Sequence, residues 1–221
     1  MFEKIAENIE RIKGQLQPQV TLVAVSKFHP VEAIAAGLAA GHFVYGESRV
    51  QELTAKVPQL SPQVRWHFIG HLQSNKVRQL LRLPVSLIHS VDSLRLLRAI
   101  DAEAVAQGRA VDVLLELHVA REATKSGFAP DEALALADSN VPQSLRATRV
   151  RGIMAMASLT DDVEQVSREF RTARAAFEAL QPSMGAAFDT VSMGMSDDWH
   201  VAVDCGSTMV RIGSAIFGPR L

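Results

Sequence analysis

Hydrophobic positions along this chain follow two alternating rhythms. Ile5, Ile9, Ile12 and Leu16 recur three or four apart, which predicts an amphipathic helix over the first 17 residues or so, broken by Pro18. Val20 to Val25 then runs almost continuously apolar and β-branched, as a strand buried on both faces does. It leads directly into Ser26 and Lys27. Pro30 opens a helix with Val31, Ile34, Ala35 and Leu38 on one face and Gly41 as its stop.

The same alternation repeats down the chain. Strands are predicted at 43–45, 66–69, 85–89, 111–119, 150–154, 188–191 and 209–212. Helices are predicted at 49–57, from about 73 to 83, from an Asp92 or Ser93 cap to near Gly108, and from Pro130. A long helix carries Val163, Val166, Phe170, Ala173, Phe177 and Leu180 on one face, with Thr160 as cap and Asp161 and Asp162 near its positive end. Strands followed by helices, without a hairpin signal, imply a parallel sheet with helices outside it. The predicted fold is α/β, a single (β/α)8 barrel over residues 1–221 with an extra N-terminal helix; an open doubly wound sheet is the rival. A barrel would gather its chemistry at the C-terminal ends of its strands.

Composition narrows the class. With 48% hydrophobic and 21% charged residues the chain can bury a substantial core, and its net charge of −1 gives no reason to expect nucleic acid. One cysteine, Cys205, excludes an intrachain disulfide and suits a reducing compartment. No apolar run reaches the roughly 20 residues of a membrane span, and the N-terminus lacks a signal-peptide core. The expectation is a cytoplasmic protein without a membrane partner, as monomer or weak dimer.

Two late runs, Ser192-Met193-Gly194-Met195-Ser196 and Gly206-Ser207-Thr208 through Gly213, concentrate hydroxyls and glycines. Such residues bring backbone N–H groups and side-chain donors close to an oxyanion, so the runs predict a phosphate cradle. Lys27, at the end of an apolar strand, is either an amine with a lowered pKa, able to attack an aldehyde, or a surface lysine starting a loop. Arg211 interrupts Val-Arg-Ile, so it points away from its apolar neighbours, to a ring nitrogen, a phosphate, Glu47 or Asp204. His67 and His71, about 13 Å apart on an extended strand, make a poor metal pair. His67 is expected inside the barrel, with Gln73-Ser74-Asn75 capping the next helix. Glu47 and Arg49 suggest a rim ion pair, Met154 and Met156 a pocket wall, and Cys205 inert packing. Lys125 is a solvated charge or an anion-attracting rim residue.

Taken together, Ala-Val-Ser-Lys at 24–27, Tyr-Gly-Glu-Ser-Arg-Val-Gln-Glu at 45–52 and Trp-His-Phe-Ile-Gly-His-Leu-Gln-Ser-Asn-Lys at 66–76 form an ordered set. Thr-Lys-Ser-Gly-Phe at 124–128, Gly-Ile-Met-Ala-Met-Ala at 152–157 and the two late runs complete it. The set resembles the pyridoxal phosphate homeostasis protein family, across 23–218. The resemblance implies a barrel like the N-terminal domain of alanine racemase, with pyridoxal 5′-phosphate held by Lys27 as an aldimine. It implies Arg211 as partner of the pyridine nitrogen and Ser192, Gly194, Ser207, Thr208 and Gly213 as phosphate donors. It also implies a cofactor-binding, regulatory protein without established catalysis; the leading hypothesis is a carrier that hands cofactor to apo-enzymes that depend on it. Ser48, Phe28 and His118 depart from the Asn, Thr and Asn common in the family.

The residues favour a carrier over an enzyme. Arginine only donates, so opposite the ring nitrogen it would leave that nitrogen unprotonated and weaken the electron sink. Two-base racemisation needs a second acid/base, and the only tyrosine is Tyr45, in the second-strand region. The alternatives are a slow fold-type III racemase or lyase with Lys27 as sole base, and a barrel enzyme acting on phosphate esters without cofactor.

Overall fold

The computed structural model of the chain describes residues 2–120 and 126–218. Eight parallel strands close into one barrel in sequence order: β1 (Thr21–Val25), β2 (Val44–Glu47), β3 (Arg65–Phe68), β4 (Val85–Val91), β5 (Val111–Leu117), β6 (Thr148–Ala155), β7 (Thr190–Ser192) and β8 (Met209–Ile212). β8 returns to pair with β1, Thr21 opposite Met209 and Val23 opposite Arg211. The open-sheet alternative is thereby excluded.

Among the described residues ten α-helices surround the strands: α1 (Glu3–Lys13), α2 (Val31–Ala39), α3 (Val50–Lys56), α4 (Val77–Leu81), α5 (Leu94–Ala106), α6 (Pro130–Ala137), α7 (Val141–Ser144), α8 (Val163–Met184), α9 (Trp199–Asp204) and α10 (Ser214–Phe217). α1 precedes the barrel, as expected, and seats Ile5, Ile9 and Ile12 in the outer core. The 73–83 helix is shorter than its pattern suggests. Residues 74–76 form a 3-10 turn without a side-chain cap, and only Val77–Leu81 is α-helical. The cap of α8 is Asp162, whose carboxylate accepts from Gln165 N at 3.0 Å, in place of Thr160. A carboxylate suits that positive helix end better than a hydroxyl.

Strand side chains alternate between two cores, because successive residues face opposite sides of the sheet. Outward residues such as Ala24, Trp66 and Val113 pack under the helices. Tyr45 is among them: its hydroxyl donates to Ile34 O at 3.2 Å, and Gly37 leaves room for the ring, since a Cβ there would lie 2.2 Å from the phenolic oxygen. Inward, Val23, Val44, Leu87, Leu114, Met154 and Met209 form a separate apolar plug. Two residues further along β4, β5 and β8 the inward positions turn polar, with His89, Glu116 and Arg211 buried, and His67 of β3 is buried beside His89. The lumen is thus apolar below and hydrogen-bonding above.

Candidate functional site

Above that polar layer, at the C-terminal ends of the strands, lies a cleft of about 280 Å³. Lys27 stands on one wall, just past β1, and Arg211 of β8 reaches its floor. Ser196, Gly213 and Ser214 line the same cleft, while Ile69, Met156 and Met195 supply apolar surface. Lys27 is half-buried.

Among the described residues no carboxylate is in contact with Arg211. Its Nη1 donates to Ser192 O and to Ser192 Oγ, both at 2.7 Å, and its Nη2 donates to Ala155 O at 3.1 Å. Burial lowers its pKa to about 10, and the charges of Asp198 and Glu116 oppose the shift. Neither Glu47 nor Asp204, the structural alternatives, is among these partners. The chain of contacts continues inward: His89 Nδ1 lies 3.1 Å from Ser192 Oγ, and His67 Nδ1 lies 3.0 Å from His89 Nε2. Burial drives the pKa of both imidazoles far down, that of His67 to about 3, so both are neutral. An arginine only donates, so Ser192 Oγ accepts from it and has its own proton free for His89. Glu116, on the same inward face as Leu114, is pushed up to about 7 by burial, with Asp92 adding to the effect and Ser126, Arg211 and His71 opposing it.

The two hydroxyl–glycine runs part company. Ser192, Gly194 and Ser196 follow the course of β7 out to the mouth. Ser192 holds Arg211, and Gly194 takes φ +98° with a Cβ position only 2.7 Å from Ala202 Cβ, so it is there for close packing. Ser196, absent from the expected donors, receives Gly213 N at 3.3 Å and Ala215 N at 3.4 Å on its hydroxyl. Gly213 is at the cleft as expected, and Ser214 joins it.

Ser207 and Thr208 are a correction. They precede β8 and therefore lie at the opposite end of the barrel. Ser207 Oγ sits within 3.2 Å of three backbone carbonyls, Met193 O nearest at 2.8 Å, and Thr208 Oγ1 accepts from Val191 N at 2.8 Å. Between β7 and β8 only Ser192 and Met209 pair in regular register, and these hydroxyls close the remaining seam. The missed signal was strand direction: in a parallel barrel, residues after a strand reach the mouth and residues before it do not.

Other expectations resolve individually. Glu47 pairs with Lys56 at 2.7 Å rather than with Arg49, whose guanidinium lies 4.8 Å from the Phe28 ring centre. His67 faces the lumen, while His71 lies at the rim, 3.3 Å from Asp92. Met156 lines the cleft and Met154 belongs to the apolar plug. Cys205 is buried against Ser167. Lys125 lies outside the described residues. Among the described residues no helix is long and apolar enough to cross a membrane.

A closed parallel barrel with a lysine after its first strand and an arginine in its last, both at the mouth, defines a class of protein. Residues 2–220 match the family described as alanine racemase, N-terminal domain. More narrowly, the chain belongs to the pyridoxal phosphate homeostasis protein family. The Haemophilus influenzae protein of that name is 38% identical over 226 residues, covering 100% of this chain and 93% of its own. Its Escherichia coli counterpart is 38% identical, covering 94% and 88%. Synechococcus elongatus PipY, solved with PLP bound, superposes with a TM-score of 0.87 at 37% identity, covering 97% of this chain and 100% of that one. Alanine racemase of Corynebacterium glutamicum, at 15% identity and TM-score 0.79, shares the fold; this chain covers 62% of it.

Proposed function

We propose that this protein binds pyridoxal 5′-phosphate in the cleft at the barrel mouth, holds it through Lys27, and acts in intracellular homeostasis and delivery of that cofactor. The observation that carries the reading is the convergence of Gly213 N and Ala215 N on Ser196 Oγ, at the cleft that Lys27 also lines. Backbone N–H groups aimed at one point, with a hydroxyl able to turn its proton outward, suit the oxygens of a phosphate. The donor set fits a phosphorylated aldehyde: one cleft offers an amine, N–H and hydroxyl donors, a fixed cation and apolar side chains. The relatives named for the homeostasis of this cofactor and the neighbour solved with it support the assignment.

When bound, pyridoxal phosphate supplies an aldehyde carbon open to amines and an electron-withdrawing ring. Lys27 provides the capturing amine. Ser196, Gly213 and Ser214 face the phosphate, replacing Ser207 and Thr208 in that role. Arg211 remains the group assigned to the ring nitrogen, held rigid by Ser192 and Ala155. Because it cannot accept a proton, it leaves that nitrogen unprotonated.

The carrier reading is favoured over racemisation by Tyr45, whose hydroxyl is bound to Ile34 O behind the barrel wall, away from the cleft. The whole chain then works as one barrel domain inside the cell, as monomer or weak dimer, with apo-enzymes as recipients. Borohydride reduction of the loaded protein followed by peptide mapping tests the site: a pyridoxyl group on Lys27 is expected, and labelling of another lysine overturns it. Mixing loaded protein with an apo-enzyme tests delivery, which fails if activity never returns although free cofactor restores it.

A further inference from the structure

Directly behind Lys27, on the outer side of the barrel wall, is a buried cluster that the reading above does not use. Lys56 of α3 is 7% exposed in its side chain, and its ammonium donates to three oxygens: Ser26 O at 2.9 Å, Glu47 Oε1 at 2.7 Å and Glu52 Oε1 at 2.7 Å. Three donors meet three acceptors, so the ammonium is fully satisfied. Ser26 Oγ donates to the same Glu47 oxygen at 2.7 Å, and Phe28 N donates to the same Glu52 oxygen at 2.7 Å.

Both bonds that leave the cluster for the chain flank one residue. Ser26 O belongs to the peptide joining Ser26 to Lys27, and Phe28 N to the peptide joining Lys27 to Phe28. Phe28 is held at φ +68°, the sole positive φ outside glycine among the described residues. For a bulky side chain that conformation costs on the order of 1–2 kcal/mol and persists only where surroundings enforce it. Pairing a buried lysine with two carboxylates is also a costly way to gain stability alone. Strain and buried charge thus meet at the two peptides that aim Lys27 inward.

We propose that Glu47, Glu52 and Lys56 are positioning residues: a clamp that fixes the peptides on both sides of Lys27 and presents its amine to an aldehyde in the cleft. The inference rests on the assignment of Lys27 as the capturing amine. Capture forms a C=N bond between Nζ and the aldehyde carbon, and the aldehyde oxygen leaves as water with both hydrogens of the neutral amine. The clamp makes no contact with the phosphate side, which Ser196 and Gly213 provide. It therefore acts on the rate of capture and not on phosphate recognition. Small misplacements of a reacting group are enough to slow such steps by one or two orders of magnitude.

The test compares two ligands on the full chain: pyridoxal 5′-phosphate, and pyridoxine 5′-phosphate, which carries an alcohol in place of the aldehyde. Lys56→Met would leave two carboxylates facing each other and is expected to impair folding, so Glu52 is the residue to change. Glu52→Ala should slow appearance of the C=N absorbance about tenfold while leaving the affinity for pyridoxine 5′-phosphate within about twofold. Glu52→Gln, whose amide oxygen can still accept from Phe28 N, should recover most of the rate. An unchanged rate in Glu52→Ala, or equal losses for both ligands, overturns the clamp. If the unmodified protein binds neither ligand, the cofactor assignment fails and takes the clamp with it.

Discussion

The runs 192–196 and 206–208 have nearly the same composition and opposite roles. Leaving β7, the first reaches the barrel mouth, where Ser192 fixes Arg211 and Ser196 gathers two backbone N–H groups beside the cleft. α9 then carries the chain back down, and the second run enters β8 from below, with its hydroxyls bonded to the backbone of β7. A separate hollow of about 340 Å³ opens at that lower end beside Pro18 and His42, and neither Ser207 nor Thr208 lines it. On the reading proposed above, glycine and hydroxyl residues serve an anion only where they face a cavity. Where the neighbouring strand takes their donors, the same residues become a seam.

The contrast can be broken hardest through the glycines. In Gly194→Ala the new Cβ would meet Trp199 Cα at 2.9 Å and Ala202 Cβ at 2.7 Å, at φ +98°. Strain and overpacking together should cost about 3–4 kcal/mol in denaturant unfolding. Gly206→Ala, at φ +88°, meets only the Arg174 side chain at 3.2 Å and should cost about 1–2 kcal/mol. Equal losses would mean that the two turns are packed alike.

The buried charge at the mouth gives an effect of similar size. Glu116 binds its proton more tightly folded than unfolded, with a pKa of about 7 against 4.5. Below pH 4.5 both states are protonated. Between 4.5 and about 7 the unfolded chain releases the proton while the folded one keeps it, so stability falls as pH rises, by about 3 kcal/mol in all. Glu116→Gln should flatten that part of the stability–pH curve; an unaltered slope would place its origin elsewhere.

The hydroxyls give the smallest but most direct comparison. Ser207→Ala should lower stability by about 1–2 kcal/mol, since it withdraws a buried donor from the seam, and leave binding of inorganic phosphate unchanged. Ser196→Ala should do the reverse, weakening phosphate binding by about 1 kcal/mol, or roughly fivefold, with little change in melting temperature. Calorimetry of both variants reads both quantities, and a binding loss in Ser207→Ala would return that turn to the cradle.

Much of this was legible beforehand. Eight apolar strand segments separated by helical spacing led to the barrel, because period-2 burial and period-3.6 burial are local properties of the chain. Lys27 was legible for the same reason: it terminates an apolar strand, and in a parallel barrel every strand terminates at the mouth. The interruption of Val-Arg-Ile likewise announced that Arg211 faces away from its neighbours. Ser196 stood in the predicted cradle run but not among its named donors, and Ser214 in neither, although they follow β7 and β8; Ser207 and Thr208 were named although they precede β8. Glu52 and Lys56 carried only the i, i+4 spacing of an ordinary helix-surface pair.

By itself, then, the sequence determined the order and type of the elements, that Arg211 faces away from its apolar neighbours, and the place of Lys27 at a strand end. Tertiary structure alone decided which hydroxyls remain available and which carbonyl receives Lys56. The reason is physical: a donor's availability depends on the acceptors that closure of the barrel brings within about 3 Å of it. Those acceptors lie on strands distant in the chain, where no local pattern records them.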